Sequence, residues 1–246
     1  GGGDDFLVGG AGNDVLSGGS GFDLASYDDA LAGVVVSLNT SAAQNTGGSG
    51  TDTLSEIEDL IGSDFGDQLT GSGQGNFLWG LAGDDVLTGL GGVDTLDGGE
   101  GSDVYVMTSP DDHFAGEIED SGTGGVDEIR FAAAAAGTLT LYASDRGVER
   151  AVTTGTAALS IDARLVGNAL VMVGNSGANQ LRGTAFGDVI TGGAGVDQLD
   201  GGEGGDIYLL DTAGEHGAAE FADSGANGWD EVRFGVRGAA ATLTLF

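Results

Sequence analysis

An aspartate or asparagine recurs every nine residues inside a fixed frame of glycines. Five consecutive units over residues 62–106 carry it without a slip, at Asp67, Asn76, Asp85, Asp94 and Asp103. A short carboxylate or amide can turn back onto its own loop, and the glycines permit tight turns that leave backbone carbonyls uncovered. Carboxylate and carbonyl oxygens are the ligands of hard cations such as calcium, which takes six to eight of them. The spacing therefore predicts a series of cation-binding turns.

The same frame fills two more tracts, residues 1–26 and 174–209, and single units at 47–55, 122–130 and 225–233. One lone unit is equally compatible with a glycine-rich turn capped by Asp without metal, whereas repeated in-register units favour the metal. The predicted metal ligands are the sixth-position residues Asp5, Asp14, Asp23, Asp52, Asp67, Asn76, Asp85, Asp94, Asp103, Asp127, Asn179, Asp188, Asp197, Asp206 and Asp230.

Each unit divides into a six-residue turn and a three-residue strand. The eighth position carries a large apolar residue that we expect to point inward. Examples are Leu16, Leu69, Leu87, Leu96, Ile190 and Leu199. Two units would complete one coil of eighteen residues, so units two apart would stack on one edge about 4.8 Å apart. Each edge becomes a ladder of carboxylates that repel one another unless a cation lies between successive turns.

The segments between the tracts are also predicted to form strands. Residues 34–38, 138–142 and 158–161 are β-branched or alternating and are bounded by turn-forming residues. Residues 132–136, a run of alanines after Phe131, could start a short helix, but no amphipathic stretch follows. We predict an all-β chain.

A second period of 103 residues overlays the first. It maps Tyr105 onto Tyr208 and Asp120 onto Asp223, so the chain holds about one and a half copies of a longer module. The predicted segments are repeat block 1 (1–26), a connector with one isolated repeat at 47–55 (27–61), block 2 (62–106), a β-rich connector (107–173), block 3 (174–209) and the start of a repeated connector (210–246). Because both ends fall inside repeated segments, we expect a piece of a longer polypeptide.

Composition limits the possible partners. The net charge is −32, from 39 acidic residues against 7 bases, all of them arginine. Such a chain does not suit binding to nucleic acid or an anionic membrane, and no apolar run is long enough to span a membrane. Cysteine is absent, so neither disulfides nor thiolate metal sites are available. The self-repulsion predicts that folding depends on calcium ions.

Other candidate sites are weaker. His113 and His216 could suggest zinc, but neither begins an H-E-x-x-H motif, and surface loop residues are the better interpretation. Trp79 and Trp229 could stack on sugars, although isolated indoles more often cover the edge of a core. No aspartate loop ends in the bidentate glutamate of an EF-hand.

Two adjacent acid pairs, Asp127 with Glu128 and Asp230 with Glu231, could suggest catalytic carboxylates. Each pair precedes an arginine, Arg130 or Arg233, so a salt bridge or an extra calcium ligand is the better interpretation. No nucleophile and base constellation is visible, and we predict no enzyme within these residues.

The nonapeptide resembles the RTX calcium-binding repeat of large secreted bacterial proteins. Residues 25–27 followed by 33–38 and 52–63 resemble a connector that these proteins place between repeat blocks, and residues 147–149 leading to 166–168 resemble another. The resemblance implies a right-handed parallel β-roll in which each calcium ion is shared by the turns of units two apart. The implied pairs are Asp5 with Asp23, Asp67 with Asp85, Asn76 with Asp94, Asp85 with Asp103, Asn179 with Asp197 and Asp188 with Asp206. Because asparagine lacks the charge, Asn76 and Asn179 predict weaker sites.

The resemblance also implies export through a type I system and calcium-driven folding outside the cell or at its surface. Two functions stay open. One is a structural module of an adhesin, surface-layer or matrix protein, whose partners would be calcium ions and copies of itself or other surface components. The other is an accessory folding and secretion domain of an enzyme such as a protease, lipase or epimerase. Ice or glycan binding is disfavoured because the outward positions form no regular threonine ladder.

Overall fold

A computed structural model describes residues 1–210 and 220–234 of the chain. The chain divides into two compact units, Gly1–Met107 with Gly116–Asp127 as unit 1, and Thr108–Ala115 with Glu128–Phe246 as unit 2. Both are built from short, mainly parallel strands, so the predicted all-β class is confirmed and each unit is a β-solenoid. Across the described residues, no helix has the length and apolar character needed to cross a membrane.

Unit 1 holds twelve strands. They are β1 (Phe6–Val8), β2 (Val15–Ser17), β3 (Leu24–Ser26), β4 (Val35–Ser37), β5 (Gln44–Asn45), β6 (Thr51–Ser55), β7 (Asp59–Ile61), β8 (Gln68–Thr70), β9 (Phe77–Ala82), β10 (Val86–Thr88), β11 (Thr95–Glu100) and β12 (Val104–Met107). Three stacks result, in the orders β1-β3-β7-β9-β11, β4-β8-β10-β12 and β2-β6-β5. Strand pairing in unit 1 is parallel except between β5 and β6.

The eighteen-residue coil follows from the register of these pairs. In the β8 and β10 pair, Leu87 lies opposite Leu69, and in the β10 and β12 pair it lies opposite Tyr105. All three side chains have no solvent exposure, as expected for the eighth position. Burying such a side chain stabilises the fold by about 1.5–3 kcal/mol, and the apolar column recurs at every coil. This column is the core that holds the turns in register.

Unit 2 repeats the arrangement. Its elements are a 3-10 helix (Pro110–Asp112) and the strands β13 (Asp127–Phe131, beyond its first residue), β14 (Gly137–Thr140), β15 (Val148–Thr153), β16 (Leu159–Asp162), β17 (Val171–Val173), β18 (Gln180–Arg182), β19 (Val189–Thr191), β20 (Gln198–Asp200), β21 (Ile207–Leu210) and β22 (Glu231–Phe234). Strands β14-β16-β18-β20 form one stack and β13-β15-β17-β19-β21-β22 another. Ile190 is buried between Met172 and Tyr208.

Two sequence predictions have different outcomes here. The segments at 34–38, 138–142 and 158–161 contain strands β4, β14 and β16, as predicted. The helix start at 132–136 is wrong: these residues form a bend between β13 and β14. Phe131 and Ala133 are buried while residues 134–136 are exposed, so the bend serves to bring two strands into their stacks. The end of the last predicted segment and His216 lie outside the described residues.

Candidate metal centres

The sixth-position residues form ladders along the turn edges. At each step the backbone N–H of one residue donates to a side-chain oxygen of the corresponding residue in the next turn. Asp67 N–H donates to Asp85 Oδ1 at 2.7 Å, and Asp85 N–H donates to Asp103 Oδ1 at 2.8 Å. The same contact joins Asp5 to Asp23, Asn76 to Asp94, Asn179 to Asp197 and Asp188 to Asp206. The structure therefore brings together every pair that the resemblance implied.

The ladders also incorporate the isolated units. Asp14 N–H donates to Asp52 Oδ1 at 2.9 Å, although the two residues are 38 positions apart. Strand β6 of the isolated repeat pairs with β2, which places its turn directly on that of Asp14. Likewise, Asp103 N–H donates to Asp127 Oδ1, across 24 positions. An inserted segment thus loops out while the ladder continues.

Asp206 and Asp230 repeat that last contact in unit 2, where Asp206 N–H donates to Asp230 Oδ1 at 3.0 Å. Two tyrosines confirm the longer period: Gly98 N–H donates to Tyr105 Oη, and Gly201 N–H donates to Tyr208 Oη. The module of 103 residues is therefore repeated in its hydrogen bonds as well as in its sequence.

The sixth-position aspartates use one carboxylate oxygen in the ladder, and the other oxygen points into the turn. Asp23, Asp85, Asp103 and Asp206 each have a buried Oδ2 without a hydrogen-bond partner. A buried polar atom left in this way costs about 1–3 kcal/mol, and more when it is charged. The ladder therefore places anionic oxygens where a ligand of opposite charge would be needed.

A glycine at the first position makes room for that ligand. A Cβ added at Gly80 would overlap Asp85 Oδ2 and lie 2.5 Å from the carbonyl oxygen of Gly98 in the next turn. At Gly62 it would overlap Asp67 Oδ2 and lie 2.8 Å from the carbonyl oxygen of Gly80. A carboxylate oxygen and a carbonyl oxygen from stacked turns therefore converge on one small cradle.

The donor set fits calcium. Among the described residues, no three His, Cys, Asp or Glu side chains group as a metal cluster, so any ion in the turns must take carbonyl oxygens as well. Calcium accepts such mixed oxygen shells, so the residues present fit this ion. The sixth-position side chains and first-position carbonyls are the groups that would hold it.

Burial also shifts the titration of the ladder. Desolvation raises the pKa of Asp85 to about 8, with the charges of Asp67 and Asp103 adding to the effect. Desolvation likewise raises the pKa of Asp103 and of Asp206 to about 6. Without a cation these carboxyls take up a proton at a higher pH than an exposed aspartate does, so calcium and protons compete for the same oxygens.

The side chains of the two sixth-position asparagines make a hydrogen bond that the aspartates do not. Asn76 Nδ2 donates to the carbonyl oxygen of Glu58 at 2.6 Å, and Asn179 Nδ2 donates to that of Leu159. The amide thus makes a hydrogen bond at the point where a carboxylate would need a cation. This geometry supports the prediction of weaker calcium sites there.

The weaker candidates belong to structural contacts. His113 Nε2 lies 3.0 Å from Asp145 Oδ2, and both side chains are buried, so His113 is not the surface residue that was predicted. Glu128 forms salt bridges with Arg130 at 2.7 Å and with Arg150 at 3.0 Å, in line with a structural role. Trp229 is 95% exposed and covers no core edge, which corrects the prediction for that indole.

Sequence reasoning missed three glutamates beside the ladders. Glu58 Oε2 accepts from Asp23 N–H, while the carbonyl oxygens of Glu117 and Glu220 accept from Leu96 and Leu199. None occupies a sixth position of a glycine frame, so the nonapeptide pattern could not find them. The 103-residue period, which maps Glu117 onto Glu220, was the only available signal for that pair.

Comparison with known families agrees with this geometry. The sequence-family model described as RTX calcium-binding nonapeptide repeat (4 copies) matches residues 1–25, 61–92, 70–105 and 173–208. These are the three tracts whose turns form the ladders. No curated protein matches the chain. These three tracts of the chain are therefore RTX calcium-binding nonapeptide repeats.

Proposed function

We propose that this chain is a calcium-dependent structural module of a large secreted or surface protein of the adhesin, surface-layer or matrix type. Calcium-binding RTX repeats in a β-solenoid support a structural repeat module. The observation that carries the proposal is the set of buried Oδ2 atoms, as at Asp23, Asp85 and Asp103, that lack a partner on stacked turns. The fifteen sixth-position residues predicted from the sequence are the proposed ligands.

The energetics make calcium a folding partner. The chain has a net charge of −32, and its ladders bring carboxylates together out of water. A site that forms only when the turns stack converts the free energy of ion binding into free energy of folding. In a calcium-poor cytoplasm the chain would stay open for export, and millimolar calcium outside would close the coils.

Repetition favours a structural role over an accessory role in an enzyme. The contacts of Tyr105 and Tyr208 show the same module built twice, as expected for an extended array. Stacked coils each contact mainly their neighbours, so adding modules lengthens a stiff segment without a new core. An array of this kind suits a spacer or an assembly surface.

Far-UV circular dichroism during a calcium titration from a chelated start tests the proposal, with magnesium as the control ion. We expect a cooperative gain of β signal with calcium and little with magnesium, which prefers octahedral geometry and retains its waters. A chain that is fully folded in chelator, or that responds equally to both ions, would refute calcium-coupled folding.

A further inference from the structure

The connector after block 1 contains an unusually short turn. Strand β2 pairs with β6 so that Ser17 lies opposite Ser55, and β3 pairs with β7 so that Leu24 lies opposite Asp59. The six residues 18–23 of a repeat turn therefore stack against only three, residues 56–58. No glycine frame marks this short turn, and residues 56–58 lie outside the segments that match the family.

Glu58 occupies the place of a sixth-position aspartate. Its Oε2 accepts from Asp23 N–H at 2.9 Å, which is the contact that Asp85 Oδ1 makes with Asp67 N–H at 2.7 Å. Glutamate is one methylene longer than aspartate, so its carboxylate can extend across the gap that a shortened turn leaves. The hydrogen-bond ladder thus passes from block 1 into the connector.

Glu56 occupies the place of a first-position glycine. A Cβ added at Gly18 would overlap both Asp23 Oδ2 and the carbonyl oxygen of Glu56. This is the same cradle that Gly62 forms from the Oδ2 of its own turn and a carbonyl of the next. Glu56 also has φ of +55°, a left-handed conformation that costs a residue with a side chain about 1 kcal/mol or more. The chain accepts that cost at the residue whose carbonyl completes the cradle.

Asp23 gives evidence for a cation at this step that does not depend on the cradle at Gly18. Its side chain is fully buried, Oδ1 accepts from Asp5 N–H, and Oδ2 has no hydrogen-bond partner. On the other side of Glu58, Asn76 contributes an amide that donates to the Glu58 carbonyl oxygen. Asp23 and Glu58 therefore bring two carboxylates to this step of the ladder, and their combined charge is the charge that one divalent cation neutralises.

We propose that Asp23, Glu58 and the carbonyl of Glu56 form a further calcium site between repeat block 1 and the connector. The site rests on the proposed calcium-binding function and extends it to residues outside the nonapeptides. It would continue the metal ladder across the connector, so that block 1 and the segment leading to block 2 fold as one calcium-dependent stack within unit 1.

Native mass spectrometry of the whole chain at saturating calcium tests the site by counting bound ions. Glu58→Gln keeps an oxygen for Asp23 N–H and removes the charge. Glu119→Gln is the matched control, because it makes the same chemical change on an exposed side chain of unit 1 that has no part in the proposed site. We expect Glu58→Gln to bind about one ion fewer than the wild type and Glu119→Gln to match the wild type.

The other outcomes are also decisive. If Glu58→Gln is folded by circular dichroism and binds as many ions as the wild type, with unchanged affinity, the inference is wrong. If it fails to fold at the calcium level that folds the wild type, recovery at about tenfold higher calcium supports a lost ligand. Failure at every calcium level would leave Glu58 a purely structural role and overturn the site. A wild-type chain that binds no calcium would instead refute the proposed function as a whole.

Discussion

Asp85 offers a direct test of the competition between protons, calcium and folding. Its Oδ1 accepts from Asp67 N–H, its own N–H donates to Asp103, and its buried Oδ2 has no hydrogen-bond partner. Asp85→Asn retains the Oδ1 acceptor and replaces the unsatisfied anionic oxygen with an amide donor. Asn76 shows that the ladder accommodates such an amide, which there donates to a carbonyl oxygen of the neighbouring turn.

The expected magnitude follows from the pKa of Asp85, which burial raises from 3.8 to about 8 in the calcium-free fold. Because the folded-state pKa lies above the unfolded value, this carboxyl contributes to the stability of the folded state. That contribution is complete below about pH 4 and is lost as the pH rises through about 8. By pH 7 the loss is on the order of 4 kcal/mol. Asp85→Asn removes that loss, so the calcium-free chain should become more stable at pH 7 by up to this amount. In calcium the variant should lose affinity, because two successive turns lose one ligand charge.

Urea unfolding followed by circular dichroism, in chelator and in millimolar calcium at pH 7, measures both effects. Asp64→Asn is the matched control, since Asp64 is exposed on the turn before Asp67 and its substitution changes the net charge equally. We expect Asp85→Asn to narrow the stability difference between the two conditions and Asp64→Asn to leave it nearly unchanged. If Asp85→Asn gains no more stability in chelator than Asp64→Asn, the buried charge of Asp85 is not what opposes folding.

Three further predictions follow from the ladder and its core. Acidifying the chelated wild type from pH 8 to pH 5 should increase its β signal, because protonation neutralises Asp85 and Asp103, whose folded pKa values are about 8 and 6; a chelated chain that loses signal would contradict this. Tyr105→Phe removes the acceptor of Gly98 N–H and should lower the free energy of unfolding in calcium by about 1 kcal/mol, measured by urea denaturation against the wild type. Asn76→Asp should bind calcium more tightly in a calorimetric titration yet be less stable in chelator, because a carboxylate replaces a hydrogen-bonded amide; unchanged affinity would show that charge at this step does not matter.

Some structural contacts could not have been predicted from local sequence. His113 lies among loop residues in the sequence but is buried against Asp145, a partner 32 positions away. Residues 132–136 have good helix formers, yet they form a bend because the flanking strands must enter their stacks. In both cases contacts from distant parts of the chain outweigh the local preference.

The nonapeptide period alone determined the repeated turn and strand, the inward eighth position of residues such as Leu87, and the eighteen-residue register. These features depend on interactions within one or two units, so a nine-residue pattern contains their cause. Only the tertiary structure decided which turns meet across inserted segments: Asp14 with Asp52, and Asp23 with Glu58. The physical reason is that stacking depends on the backbone path through each insert. A longer loop or a shortened turn can bring a carboxylate to the ladder without leaving a periodic signal in the sequence.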